Sequence, residues 1–378
     1  MIREFLRKIY SSARKFYYMS IVKEDWIVYA RRIHCEQTLN WAKANTKPLT
    51  TSQVKQIRGY WNKINKKSSK LYNIGFYTIY NKYCTDPSKL HLYIPDDFYF
   101  CYGDNFFSNY HVAKKLDNKN MFDLIFYDVK RPQCVIRKIN GALMDADYNL
   151  IDEDKAVELC NAAKDIILKK SVFSYGGKGI TFIYDCQHNK DKILDYLKES
   201  KDFIAQTLIP QHPVLASFNP ESINTVRILT LFYGGSPMVV SAMLRMGVNG
   251  SHVDNATSGG VFCGINEDGS LKDRAYDICA KVYYKHPCGK EFSGVVIPSY
   301  SECVHIAKKL SVRYLNYSRL IAWDFAIDTD AKPVVIEAGF TGGGMQQLQL
   351  CNGPIWGDKT DEILEYLFKE SEDIKKRL

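Results

Sequence analysis

The chain has 378 residues, 46% of them apolar and 25% charged, with a formal net charge of +9. That length calls for two or three packed lobes, and an aromatic share of 13% excludes a disordered chain. The basic balance favours acidic partners such as nucleotide phosphates, anionic sugars or a membrane surface, although solvated surface lysines are its plainer source.

No zinc finger, RNP-like run or basic heptad helix points to nucleic acid. The eleven cysteines include no C-x-x-C pair, which suits reduced thiols in a cytoplasmic protein better than a disulfide framework. No stretch is long and apolar enough to span a bilayer, and residues 1–18 lack the apolar centre of a signal peptide. The start, MIREFLRKIYSSARKFYY, reads as a first helix packing on its own domain. Peripheral contact of this basic amphipathic segment with an anionic membrane is the second reading.

Taken along the chain, residues 1–94 form a helical N-terminal region, in which NKINKKSSK (62–70) is a solvated basic run. Residues 95–164 are expected to form a first lobe, 165–210 a glycine-loop subdomain, and 211–378 a C-terminal subdomain. Strands are expected at 135–139, 165–170, 180–185 and 202–209, with helices at 153–163 and 191–200 between them. Two longer strands, 224–233 and 238–247, meet through the turn GGSP. A helix near 301–314 precedes a last hairpin, 321–327 with 333–339, and a charged helix closes the chain.

Four motifs carry chemistry. In KKSVFSYGGKGI (169–180), glycines let backbone N–H groups approach phosphate oxygens, and Lys169 and Lys178 add positive charge. The spacing is neither a P-loop nor a Rossmann turn, and a glycine-containing hairpin explains the run equally well. In the late hairpin WDFAIDTDAKPVVIEAG (323–339), a loop at 329–332 sets Asp324 opposite Glu337 on one face. Trp323, Phe325 and Ile336 then fall on the core face. Two facing carboxylates repel unless a cation such as Mg²⁺ bridges them, and two solvated acids are the plainer alternative. Arg227 and Arg245 lie in buried-looking strands beside Asn224 and Thr225, reading either as a clamp for a phosphoryl group or carboxylate or as a salt bridge to a core acid. Finally, SHVDNATSGGVFCGI (251–265) offers Asp254, Asn255, Gly259 and Gly260 as substrate contacts, where turn chemistry alone would also account for them.

In this order the motifs resemble an ATP-grasp enzyme, most closely the sugar-transfer associated branch, over roughly residues 95–360. The resemblance implies an α+β fold in which two subdomains hold ATP between them. It implies nucleotide contacts from Lys119 in DNKNMFDLIFYDVKRP (117–132), from Lys169, and from the closing loop residues Ser174, Gly176, Gly177, Lys178 and Gly179. DFIAQTLIPQH (202–212) matches the hinge, so Gln206 and the backbone of Leu208 and Ile209 would hold adenine. SINTVRILT (222–230) is similar to the branch's Asn-Thr-x-Arg stretch and puts Arg227 near the γ-phosphate or acyl phosphate, with Arg245 holding the latter. Asp324 and Glu337 match the metal carboxylates, but Glu337-Ala338-Gly339 departs from the usual Glu-x-Asn. The expected activity is an ATP- and Mg²⁺-dependent ligase joining a carboxylate to an amine through an acyl phosphate. Its family context points to an amino acid and a sugar-linked cosubstrate in capsule or O-antigen polysaccharide synthesis. A small-molecule kinase and a non-catalytic nucleotide-binding module are the alternatives.

Overall fold

The computed structural model describes residues 13, 15–16, 26–172 and 179–377. Two units emerge. The first takes the described residues of Met1–Phe107, Cys279–Lys281 and Gly344–Leu378; the second takes Ser108–Ile278 and Val282–Gly343.

The first unit is helical. Its helix Thr51–Ile64 starts at a capping box, in which the Thr50 hydroxyl accepts from the Gln53 N–H and the Gln53 side chain accepts from the Thr50 N–H. Its apolar stripe buries Ile57 and Trp61 completely. Trp61 Nε1 donates to the Tyr77 hydroxyl at 2.7 Å, which in turn donates to the Tyr93 carbonyl at 2.8 Å, so the buried polar tips are paired. Phe98 and Phe368 pack against the same indole. Phe368 belongs to the helix Thr360–Glu370, which explains why the C-terminal segment groups here although its sequence position suggested the preceding subdomain.

The second unit is built on two antiparallel sheets. The smaller has the order β2-β1-β5-β3-β4, with β1 Cys134–Ile139, β2 Ala142–Asp145, β3 Ile166–Lys170, β4 Ile180–Ile183 and β5 Phe203–Thr207. The helices Glu153–Ala163 and Lys190–Glu199 cover one face, burying Val157, Cys160, Ile193 and Leu197 against Ile166, Leu168, Phe203 and Ala205. Side chains alternate along a strand, so Lys169 and Gln206 stand on the uncovered face. The larger sheet runs β10-β9-β8-β7-β6-β11-β12. Its strands are β6 Val226–Tyr233, β7 Ser236–Met246, β8 Val261–Ile265, β9 Leu271–Tyr276, β10 Val282–Tyr283, β11 Leu320–Ile327 and β12 Pro333–Gly339. The helix Tyr300–Arg313 seals one face over Ile228, Leu244, Trp323 and Phe325. Between β6 and β7, Gly234 and Gly235 take φ of +61° and +83°, the two-residue turn that matches strand twist.

The last hairpin corrects the sequence reading in one respect. Ile327 pairs with Pro333, so the loop begins at Asp328 and has five residues, one more than expected. Ile336 is an extra residue that bulges from β12, and beyond it Asp324 returns to register with Glu337. Trp323 and Phe325 are fully buried in the core, whereas Ile336 is the half-buried bulge. The longer loop forms because the Asp328 carboxylate accepts from the N–H groups of Asp330 and Lys332 at 3.0 and 2.8 Å and pairs with Lys130.

All eleven cysteines are free thiols. Among the described residues no helix is long and apolar enough to cross a membrane. The segment expected to start the chain with a basic helix lies largely outside the described residues.

Asp328→Ala removes both turn acceptors and the ion pair, and is expected to lower unfolding free energy by about 2 kcal/mol. Urea denaturation should show that loss, against a negligible change for the exposed Thr329→Ala.

Candidate functional site

The face of the larger sheet turned away from the helix Tyr300–Arg313 carries charge. Register sets Arg227 on β6 opposite Asp324 on β11, and Asp324 opposite Glu337 on β12. Arg227 grips Asp324 with both ends of its fork: Nε to Oδ1 at 2.8 Å and Nη2 to Oδ2 at 2.8 Å. Arg245 on β7 adds Nη2 to Oδ2 at 3.2 Å. Asp324 is only 3% exposed. Burial opposes its charge, but the two guanidiniums override burial and hold its carboxyl below the usual range. Burial likewise works against the Arg227 cation, and Asp324 and then Glu337 raise its pKa well above the ordinary value. The two arginines read as a clamp and the acid read as a metal ligand are therefore one another's partners.

A second acid extends the row. Asp254 accepts from the Thr225 N–H at 3.2 Å and from the Thr225 hydroxyl, and lies 3.3 Å from Arg245 Nε. Arg245 Nε also donates to the Thr225 hydroxyl oxygen at 2.8 Å. Thr225 thus orients Arg245.

On the other side of the row Lys119 donates to Glu337 Oε1 at 3.1 Å. The backbone around Lys119 is clamped. Its N–H donates to the Ser171 carbonyl at 2.9 Å, and the Asn120 carbonyl accepts from Tyr148 at 3.0 Å and Arg137 at 3.3 Å. Arg137, completely buried, lies 4.0 Å over the Tyr148 ring and pairs with Asp123. Sequence reasoning missed this support, although an arginine in a buried-looking strand was the signal that singled out Arg227 and applied equally to Arg137.

Lys169, half-buried on β3, has no hydrogen-bond or ion-pair partner among the described residues. Burial pushes its ammonium down to about 8; Glu337 opposes this and the nearby Lys119 adds to it. A lysine held in this way is poised for an anion. Gln206 is buried at the end of β5, level with Ile167, and Leu208 and Ile209 follow half-buried. Ser174, Gly176, Gly177 and Lys178 lie outside the described residues. Gly179 has φ +75° and sits close against the Lys170 side chain.

Four of the residues expected to contact substrate have roles within the chain itself. Asn224 is completely buried with its amide fully used: its NH₂ donates to the Leu215 and Asn219 carbonyls, and its oxygen accepts from Ser222 and the Gly247 N–H. Gly259 turns the chain at φ +96°. Gly260 is needed for clearance, because a Cβ there would meet the Asp254 carbonyl oxygen at 2.4 Å. Asn255 caps a single turn, its side-chain oxygen accepting from the Thr257 N–H and hydroxyl.

A carboxylate has about four lone-pair sites, and the arginines use three at Asp324. Glu337, its side chain 42% exposed, accepts from Lys119 through Oε1. Among the described residues no group of three His, Cys, Asp or Glu side chains could hold a metal. Two carboxylates suit Mg²⁺ when phosphate oxygens and water complete the octahedron. Gly339 does not forbid a third donor, since a Cβ there meets only ordinary contacts at 3.8 Å.

Two antiparallel sheets, each helix-covered on one face and each presenting cations on the other, define an ATP-grasp fold of the α+β class. The family model for sugar-transfer associated ATP-grasp matches residues 105–363, and the chain belongs to that family. No curated protein matches. Similar solved structures include D-alanyl-alanine synthetase A from Vibrio cholerae, at 9% identity over 67% of each chain with a TM-score of 0.40. D-cycloserine synthetase matches at 15% identity over 67% of this chain and 71% of its own, TM-score 0.39. An L-amino acid ligase from Bacillus licheniformis matches at 14% identity over 65% of this chain and 48% of its own, TM-score 0.35.

Because the Lys169 pKa falls from 10.5 to about 8 on folding, the unfolded chain binds this proton more tightly, and the protein gains stability as pH rises between those values. Lys169→Met is expected to raise stability by about 2 kcal/mol below pH 8, with the gain shrinking towards pH 10.5; thermal melts across that range measure it. Gly260→Ala is expected to cost about 3 kcal/mol or more, and Gly339→Ala under about 1 kcal/mol, in chemical denaturation.

Proposed function

We propose that this chain is an ATP- and Mg²⁺-dependent carboxylate–amine ligase. The observation that supports it most is the row Arg245–Arg227–Asp324–Glu337 on one sheet face, continued by Lys119, which reaches Glu337 from a neighbouring helical turn. With Lys169 and Asp254 it gathers four cations and three carboxylates, a setting for a polyanion.

In this reading Lys119 and Lys169 hold the nucleotide phosphates, and Gln206 with the backbone of Leu208 and Ile209 holds the base. The closing loop, Ser174 and Gly176–Gly179, covers the phosphates. Asp324 and Glu337 would hold Mg²⁺, which would neutralise phosphate charge. An oxygen of the substrate carboxylate attacks the γ-phosphorus, the β–γ bridging P–O bond breaks, and ADP leaves. Arg227 and Arg245 take up the charge on the transferring phosphoryl group and on the acyl phosphate. An amine then attacks the acyl carbon, inorganic phosphate departs, and the amine loses a proton to give the amide. The work is positioning and charge stabilisation, so no nucleophilic side chain is needed. The family's association with sugar transfer supports an amino acid and a sugar as the joined partners, through a uronic-acid amide or an acylated amino sugar in polysaccharide assembly.

The test supplies ATP, Mg²⁺ and pooled amino acids with uronic acids or amino sugars. Phosphate release should require both partners, and mass spectrometry should find an amide; a stable phosphorylated product would mean a kinase instead. Glu337→Gln should reduce turnover at least about a hundredfold while melting normally. Gly339→Asn, at a position where a Cβ meets only ordinary contacts, should fold and bind Mg²⁺·ATP more tightly. ATP binding without turnover for every pair would leave a nucleotide-binding module.

A further inference from the structure

A second concave surface lies in the helical unit. It is a cleft of about 580 Å³ lined by Arg58, Asn62, Ser69, Tyr72, Asn73 and Ile74. Arg58 and Asn62 are four residues apart on the helix Thr51–Ile64 and share one face. A smaller pocket of about 150 Å³ shares Tyr72 and Asn73 and is lined by both cations, Arg32 and Lys70, and carboxylates, Glu36 and Asp97.

The aromatic wall is rigid. The Tyr72 ring stacks on Trp61 with centroids 4.7 Å apart and planes at 28°, and Trp61 is itself locked in the core by its bond to Tyr77. The Asn73 rim is equally fixed. Its N–H donates to the buried Asp97 carboxylate at 2.6 Å, and its side-chain oxygen accepts from the Gly75 N–H at 2.8 Å. Around this fixed background Arg58, Asn62 and Ser69 stand exposed to solvent. Among the described residues the Arg58 guanidinium has no carboxylate partner, and the side chains of Asn62, Ser69 and Tyr72 make no hydrogen bond. A hydrated surface scatters such groups; here they surround one aromatic face. The main cleft holds one cation and no carboxylate.

That combination selects a ligand class. A flat ring backed by a second ring suits the apolar C–H face of a pyranose. Amides and hydroxyls around its edge suit sugar hydroxyls, and an unpaired guanidinium suits a carboxylate or phosphate in bidentate fashion. The size suits a ligand of one to three rings. We propose that the cleft binds an acidic saccharide, with a pyranose laid on Tyr72 and its carboxylate or phosphate at Arg58. Its lining shares no residue with the charged sheet face, and its occupancy does not depend on the ligase reading.

Saturation-transfer NMR and calorimetry on the full chain, without nucleotide, test it. The probes are methyl β-D-glucuronide, glucose 1-phosphate, methyl β-D-glucoside and inorganic phosphate. The two acidic sugars should bind at least about tenfold more tightly than the neutral sugar or phosphate alone. If only one acidic sugar binds, that names the acid. Arg58→Gln should erase the preference for acidic over neutral sugar, and Asn62→Ala should weaken both. Tyr72→Leu should abolish ring contacts while Tyr72→Phe, which keeps the stack on Trp61, retains them. Phosphate binding as tightly as the sugars, no binding of either acidic sugar at millimolar concentration, or unchanged affinity in Arg58→Gln would each overturn the proposal.

Discussion

A carboxylate held between two guanidiniums inside a sheet face organises the second unit. Taking Asp324 and Arg227 out of water is costly, and such a group persists only where geometry returns most of that cost. Here the return comes from three neighbouring strands, β7, β6 and β11, whose register sets Arg227 opposite Asp324 and puts Arg245, two residues beyond the partner of Arg227, on the same face within reach of that carboxylate. The two-point grip of Arg227 fixes the carboxylate plane, and Arg245 is itself aimed by Thr225 and Asp254. The covered face supplies the leverage. Trp323 and Phe325 are anchored in the core between the positions that face outward, so the strands cannot slip without exposing them. Packing on one side of the sheet thereby sets electrostatics on the other.

From that centre the charge pattern spreads outward and becomes less satisfied. Asp324 is saturated with arginine. Glu337, further out, shares one oxygen with Lys119, and Lys169 on the smaller sheet has no partner among the described residues. The gradient separates the groups that build the face from the groups left to meet a ligand. It also bears on the arginines. A guanidinium already bonded to a buried acid is preorganised, and it can share its remaining N–H donors with a phosphoryl oxygen without searching for a conformation.

Much of this was legible in the sequence because the relevant signals are local. Period-two runs located β1, β3–β7, β11 and β12 closely, and the helix over 153–163 coincides with Glu153–Ala163. The facing of Asp324 and Glu337 was read correctly from a turn that is in fact one residue longer; the bulge at Ile336 compensates. Neither the Asp328 turn nor the bulge announces itself in composition, since both arise from hydrogen bonds that close only once the strands meet. Long-range facts were beyond reach. The sequence does not say that Arg227 and Arg245 share a face, because register depends on a second irregularity, between Leu229 and Thr230. Nor does it say that the helix Thr360–Glu370 brings Phe368 to Trp61.

The polar loops show most sharply why residue type underdetermines role. Asn224, Asn255, Gly259 and Gly260 look like ligand contacts in sequence because turns and binding loops draw on the same residues. Structure separates them by asking what remains unspent. Every donor and acceptor of the Asn224 amide is taken, and the Gly260 position has no room even for a methyl group. Such residues hold the loop that carries Asp254 to Arg245. Lys169 is the opposite case, a cation desolvated by burial whose side chain has no partner among the described residues. The neighbouring Lys119 adds to that cost and Glu337 offsets part of it, so negative charge is what relieves the lysine there.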